Sequence, residues 1–414
     1  MKTVISFFFL AFITSKIYGQ EIKAYNFNVR IDVVSKRLYV KGTIDIDFKG
    51  KDTISVVLWK NSNIHSIIRN QKQVKYFFDT ISPSPIMYIP NGRNLLIYKQ
   101  TKSKENQSII FDYDCDMHEL SGWARSFSEN WIELNYYCAW FPLNNNSGNF
   151  TSKLKIWIDD QYKVTGSGII NQKNDYWEMI QPWTVFDNII IASKNLKSKI
   201  LQENNIYIET DYSEFSEPEA DSIISECRYV LNLYQNLFGK KDSTYLKFVI
   251  APFDQGGGYS RKNFVSMRTK KFDLYTSGGI GHEIAHFWWS NANTTTWEDW
   301  LNEAFAEYSM LIYFRERYGI DVFNKRIEEY KNRLINTPPI WGIDRNTPEA
   351  YTVLYEKGAL ILYEMEQKLG HEKFFGFLKM VVNEKVKTTT EFLDLVEDKL
   401  SKEIRQWIEN KIKT

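Results

Sequence analysis

Several things are scarce in this chain of 414 residues. It holds three cysteines and five histidines, so at most one disulfide can form and each histidine stands out. It has no charge excess: 52 basic against 51 acidic side chains leave no electrostatic case for nucleic acid or an anionic membrane as partner. Beyond the N-terminus no segment approaches the roughly 18 apolar residues in a row that would cross a bilayer. Internal repeats and low-complexity linkers are also missing. What is present, 43% hydrophobic and 16% aromatic residues, can bury large cores in about two domains. The balanced charge suits a peptide substrate.

Lys2, an apolar run from Val4 to Ile13 and a more polar stretch ending Ile17-Tyr18-Gly19 read as a secretory signal peptide over 1–19, with the mature chain starting near Gln20. The expectation is export to a periplasmic or extracellular space, with no integral membrane segment after cleavage. No cysteine stands at the cleavage point to carry a lipid. In an oxidising compartment Cys115 and Cys138 could pair, contributing about 3 kcal/mol, or stay two buried thiols, because sequence does not fix their Cα separation. Cys227 shares a helical face with Ile223, Ile224, Val230, Leu231, Tyr234 and Leu237, which marks it as a core residue.

Tyr25, Phe27, Val29, Ile31 and Val33 alternate, and after Ser35-Lys36-Arg37 the alternation resumes at Leu38, Val40, Ile44, Ile46 and Phe48, which predicts a β-hairpin. Short strand-like runs follow at 55–59, 95–98, 109–113 and 154–158, so residues 20–208 are expected to form a β domain. The period then changes. Pro218 to Phe238 is an amphipathic helix closed by Gly239. Leu246 to Ala251 and Phe264 to Arg268 read as strands separated by the turn Gly256-Gly257-Gly258, and helices follow, among them 300–318 and 351–369. The expected fold class is multidomain, β then α+β, with the second, mainly helical domain over 209–414.

The chemistry is concentrated in His282-Glu283-Ile284-Ala285-His286, followed after residues 287–302 by Glu303. On a helix, histidines at i and i+4 project from one face, where one metal can hold both, and Glu283 lies beside that metal. A tetrahedral catalytic zinc needs three protein ligands and one open position, and Glu303 on a second helix supplies the third. With so few histidines, such a pentapeptide arises by chance in fewer than roughly one such chain in a hundred. One Zn2+ per chain is therefore expected on His282, His286 and Glu303.

The stretch from Gly281 to Trp289, then Trp300-Leu301-Asn302-Glu303-Ala304-Phe305-Ala306, and a third block Tyr355-Glu356-Lys357-Gly358-Ala359 resemble the M1 family of zinc metallopeptidases, the gluzincin aminopeptidases. With weaker matches around Glu133 and Gly258, the resemblance runs from about Glu133 to Ala359. It implies an N-terminal antiparallel β domain followed by a thermolysin-like catalytic domain. Between His286 and Glu303 the chain is shorter than the family usually is, which reads as a trimmed loop around Asn293-Thr294-Thr295-Thr296 between two helices. The family commonly continues into a further helical domain that covers the cleft, and the expectation for these 414 residues is a cleft without that cover. An open cleft would admit longer substrates, and a dimer partner or a separate chain could supply the roof.

Roles follow from the resemblance and the chemistry together. Zinc on two neutral imidazoles and a carboxylate would keep net positive charge, acidify water and polarise a carbonyl. Glu283 is placed as general base, and Tyr355, from the matching segment, as hydrogen-bond donor to the developing oxyanion. Glu307, one turn beyond Glu303, could orient a liganding imidazole or be a solvated helix charge, and Asn302 has the same two readings. His65, His118 and His371 lack ligand spacing and receive no role. Glu133, nine residues before Pro142, resembles the family position that binds the substrate's amino terminus, with an exposed strand charge as the alternative. In Gly258-Tyr259-Ser260-Arg261-Lys262, which matches the family's exopeptidase motif, Arg261 or Ser260 takes the place of its glutamate, so the substrate contacts at Gly258 and Arg261 differ from the pattern. Two outcomes then stand open: Glu133 alone holds the substrate's ammonium while Arg261 turns away, or Arg261 pairs with an acidic side chain or a carboxylate of the substrate. The sequence thus points to an exported zinc-dependent peptidase, an aminopeptidase by resemblance. An endopeptidase or other amide hydrolase is the alternative of the same class, and a non-catalytic peptide-binding protein the alternative of another.

Overall fold

The computed structural model describes residues 21–86, 88–99, 106–144, 149–240, 244–254 and 256–414. The expected signal segment 1–19 lies outside them.

The predicted hairpin is the centre of an eight-stranded sheet. Glu21–Asp32 pairs antiparallel with Arg37–Asp47, setting Val29 opposite Val40 and Ile31 opposite Leu38. The alternation places Tyr25, Phe27, Val29, Leu38 and Val40 in the core. Asn106–Asp116 and Ser62–Arg69 extend the sheet on one side, and Phe150–Trp157 and Trp177–Val185 on the other. One pair departs from the antiparallel expectation: Glu21–Asp32 and Phe150–Trp157 run parallel, which a long connection between distant segments permits. Two four-stranded sheets complete this unit. Cys115 and Cys138 are buried thiols rather than a disulfide. Cys115 lies 3.1 Å from the Ser62 hydroxyl, and Cys138 donates to the Asn135 carbonyl at 3.1 Å.

The second unit is built on a five-stranded mixed sheet with the spatial order Lys197–Glu203, Ile206–Tyr212, Thr244–Ala251, Phe264–Arg268, Gly258–Arg261. The expected boundary at 208/209 therefore falls inside a strand of this sheet. The period changes at 208 because a crossover helix begins soon after, whereas the sheet that the helix serves starts at Lys197. Ile206–Tyr212 and Thr244–Ala251 are parallel, and such a pair needs a crossover. Helix α1 (Glu217–Phe238) provides it, burying Ile223, Cys227, Val230, Leu231 and Tyr234.

The remaining helices are α2 (Leu274–Ala285), α3 (Trp300–Tyr318), α4 (Ile320–Arg333), α5 (Gly358–Leu369), α6 (His371–Glu384), α7 (Thr389–Lys399) and α8 (Lys402–Lys413). The predicted helix over 351–369 is interrupted: Thr352–Lys357 winds as a π-helical turn before α5. At Gly281 of α2 a Cβ would lie 2.8 Å from the Tyr313 ring, so glycine is what lets α2 and α3 close on each other despite its cost within a helix. No helix among the described residues is long and apolar enough to cross a membrane.

Candidate metal centre

A cleft of about 1920 Å³ opens between the two units. α2 and α3 form its floor. The Asp273 side chain caps α2 by accepting from the Thr276 amide at 3.0 Å, and the helix carries His282 on its last turn and His286 at its C-cap. Both rings face Glu303 in the first turn of α3. Glu303 Oε2 lies 3.2 Å from His282 Nε2 and 3.4 Å from His286 Nε2, and the three donor atoms fall within 4.8 Å of one another.

The tautomers are set from behind. His282 Nδ1 donates to Glu307 Oε2 at 2.8 Å, and His286 Nδ1 to the Trp289 carbonyl at 2.9 Å, so each ring turns Nε2 toward the shared point. Glu307 is fixed in turn by the hydroxyl of Tyr330. Burial would raise the Glu303 carboxyl, yet the charge of His286 and the hydrogen bonds of both imidazoles outweigh it and hold Glu303 well below the usual range. Burial would likewise lower both imidazoles, and the neighbouring carboxylates pull them above their ordinary value instead. Two imidazoles with committed Nδ1 atoms, one carboxylate and a surplus of negative charge around them fit a zinc ion.

Glu283 lies beside this set, its carboxyl raised by burial against the lowering effect of His282 and His286. Gly258 explains how it gets there. A Cβ at Gly258 would lie 3.1 Å from Glu283 Cγ and Oε1, so the bare backbone of the edge strand makes room for the carboxylate. Gly258 thus supports the base. Tyr355 lies on the π turn, its ring stacked 5.7 Å from that of His282. At Gly358 a Cβ would meet the Ala304 methyl at 2.4 Å, so the glycine of the Tyr-Glu-Lys-Gly-Ala segment brings this turn against α3. Burial, with Glu303 and Asp299 adding, holds the Tyr355 hydroxyl well above its usual range, so it keeps its proton and can donate.

Other predicted residues lie elsewhere. Glu133 is fully buried, accepting from Tyr259 at 2.9 Å and Trp131 at 3.2 Å, with Arg268 3.5 Å away; it does not line the cleft. Arg261 lines the cleft, but its Nε donates to buried Asp187 at 3.0 Å and its guanidinium lies over the Phe186 ring at 4.6 Å. The expected pairing of Arg261 with a substrate carboxylate is thus met inside the protein, because Asp187, from the first unit, already satisfies it. The Asn302 side chain hydrogen-bonds elsewhere than to a histidine: it brackets Ala292, accepting from its amide and donating to its carbonyl, both at 3.1 Å. Glu307 takes the first of its two readings. His65, His118 and His371 pair with Asp114, Asp116 and Glu366.

The structure adds residues that sequence reasoning missed. Asp299 accepts from Asn302 at 2.9 Å and from Arg345 at 3.1 Å, and Arg345 Nη2 reaches the Tyr355 hydroxyl at 3.5 Å. Asp299 stands one helical turn before Glu303, a signal that was available. Arg345, Tyr330 and Asp187 arrive from distant segments and carry no local mark.

Residues 266–413 match the Peptidase family M1 domain. Leukotriene A-4 hydrolase of Xenopus laevis is 30% identical over 140 residues, 29% of this chain and 22% of that protein. Endoplasmic reticulum aminopeptidase 2 of Homo sapiens is 35% identical over 114 residues, 24% of this chain and 12% of that protein. The matched stretches thus take in less than a quarter of each relative's length. The fold extends further: an M1 zinc metallopeptidase from Deinococcus radiodurans superposes with a TM-score of 0.76 at 17% identity, covering 96% of this chain and 94% of that one.

Proposed function

We propose that this chain, which carries a Peptidase family M1 domain over residues 266–413, is a zinc-dependent peptidase. The observation that carries the reading is the convergence of His282 Nε2, His286 Nε2 and Glu303 Oε2 on one point, with Glu283 beside it in a cleft of about 1920 Å³. Zinc bound there would supply Lewis acidity, polarising a carbonyl and acidifying water. The chain's own residues do the rest. Glu283 takes the proton of the attacking water and passes it to the leaving amine. The Tyr355 hydroxyl donates to the oxyanion that forms as the carbonyl carbon becomes tetrahedral. Arg345 and Asp299 hold that hydroxyl and the start of α3 in place. The presence of every donor and of the base argues against a binding protein without activity.

Metal analysis with turnover on a peptide library tests this. Wild type is expected to hold one zinc per chain and to cleave peptides, and His286→Ala to lose both; unchanged metal content in that variant sinks the assignment. Two finer points belong to the same reading. Export is supported by the apolar run from Val4 to Ile13 after Lys2. Amino-terminal trimming is supported by the aminopeptidase among the relatives. A second reading, internal cleavage, is favoured by the burial of Glu133 away from the cleft. Free and N-acetylated forms of one peptide series separate the two: trimming requires the free amine, internal cleavage does not.

A further inference from the structure

Among the described residues, every carboxylate that lines the cleft is committed. Glu303 belongs to the metal donors, Glu283 is the base, and Glu307 holds His282. Asp299 is paired with Arg345, and Glu356 takes a two-pronged ion pair from Arg333 with contacts of 2.8 Å. The cations do not balance in the same way. Arg261 is matched by Asp187 and Arg326 by Glu329, but Arg125, Lys262 and Lys385 line the same cleft with no carboxylate partner among the described residues. The spare charge of the cleft is therefore positive.

Arg125 is the one of the three that is held in position. Its Nε donates to the Ser121 carbonyl at 2.9 Å and its Nη1 to the Tyr137 carbonyl at 3.4 Å. Gly122, at φ +123°, leaves open the space where a Cβ would lie 3.0 Å from Arg125 Nη2. Its neighbours lead to the catalytic wall: Tyr137 packs edge-on to Trp123 at 5.1 Å, and the Trp123 indole nitrogen lies 3.1 Å from where a Cβ of Gly257 would be, next to the Gly258 that makes room for Glu283. Lys262 and Lys385 are exposed, without such bracing. A pre-oriented planar fork is the donor best matched to a carboxylate.

We infer that Arg125 anchors a carboxylate of the peptide substrate, either the C-terminal carboxylate of a short peptide or an acidic side chain near the cut bond. The inference rests on the peptidase reading above and sets the substrate class for it. The test compares kcat/KM for one peptide series in which each Glu is changed to Gln and the C-terminal carboxylate to an amide, in wild type, Arg125→Lys and Arg125→Gln. Wild type should lose roughly tenfold or more in kcat/KM, mainly through KM, when one carboxylate is neutralised. Loss on amidation identifies the C-terminus as the source, and loss on Glu-to-Gln change identifies the side chain. Arg125→Gln should collapse the preference to about twofold, and Arg125→Lys, which keeps the charge, should retain part of it. Equal rates on charged and neutral peptides in wild type, or a preference that survives in Arg125→Gln, would overturn it. Turnover of no peptide at all would sink the peptidase reading instead, and calorimetric binding of the same series then decides: tighter binding of the carboxylate form supports the anchor, and equal or absent binding refutes it.

Discussion

His282 presents Nε2 to a metal because its Nδ1 is spent on Glu307, and Glu307 is in turn held by the Tyr330 hydroxyl. Removing the carboxylate frees the ring to rotate and change tautomer. Glu307→Ala should therefore weaken zinc binding by roughly 10- to 100-fold with all three donors intact, as read by competition with a chelator; an unchanged dissociation constant would show that packing alone orients the ring. Glu283→Gln separates binding from chemistry. It should keep zinc and substrate affinity while kcat falls by about 10²- to 10⁴-fold, since an amide cannot take the proton of water, and a near-normal kcat would remove Glu283 from the base role. Gly258→Ala tests the base from outside. Its Cβ must displace either the Glu283 carboxylate or the Ser266 carbonyl, which lies 3.0 Å away, so kcat should fall up to about 100-fold with zinc retained. At this scale sequence was a good guide wherever one segment sets the spacing, as with His282, Glu283, His286, Glu303 and Glu307. It was a poor one for Arg261, whose partner Asp187 lies in another unit, and for Glu133, which is buried with hydrogen bonds from Tyr259 and Ser266 of a distant segment.

α2 depends on its start as much as on its end. Asp273 accepts from the Thr276 amide and pairs with Lys271 at 2.9 Å, and the Thr276 amide, with burial opposing, holds the Asp273 carboxyl below its ordinary range. Replacing an N-cap carboxylate by alanine costs about 1 kcal/mol, so Asp273→Ala should lower the urea midpoint at neutral pH. The pH dependence has a definite sign. A carboxyl with a lowered folded pKa contributes fully above its unfolded value, about 3.9, and loses that contribution as pH falls through the folded one. The gap between wild type and Asp273→Ala should thus be widest at neutral pH and shrink in acid; a gap that grows in acid would contradict the cap. Elements with a clean period were legible: the hairpin, α1, Phe264–Arg268 and Trp300–Tyr318 stand where the pattern put them. The π turn at Thr352–Lys357 was not, because its side-chain pattern continues into α5 and only backbone bonding distinguishes it. The 208 boundary left Lys197–Glu203 and the start of Ile206–Tyr212 in the first unit for a related reason: a strand carries no mark of which sheet it joins.

The two units are joined by a core of their own. Trp131, Ile189 and Ile191 from the first pack with Val249, Tyr259 and Phe264 from the second, and the buried pair Asp187–Arg261 crosses the same seam. Asp187 Oδ1 also accepts from the Tyr136 amide at 2.7 Å, so one carboxylate ties the 3-10 turn Tyr136–Cys138 of the first unit to the edge strand that carries Gly258. Because the cleft walls come from both units, this seam sets how far Arg125 and Tyr137 stand from Glu283. A buried ion pair need not stabilise relative to apolar residues of similar size, but breaking it leaves an uncompensated charge at a cost of about 3–5 kcal/mol. Asp187→Ala should therefore shift the unfolding midpoint strongly and lower kcat, as the edge strand loses its tether. The double variant Asp187→Leu with Arg261→Met removes both charges and should recover much of the stability. Its activity tells what the pair is for. If stability returns while kcat stays low, the pair serves to place the edge strand against the base. If both return, apolar packing across the seam suffices, and the ion pair is one of several ways to hold the cleft to its width.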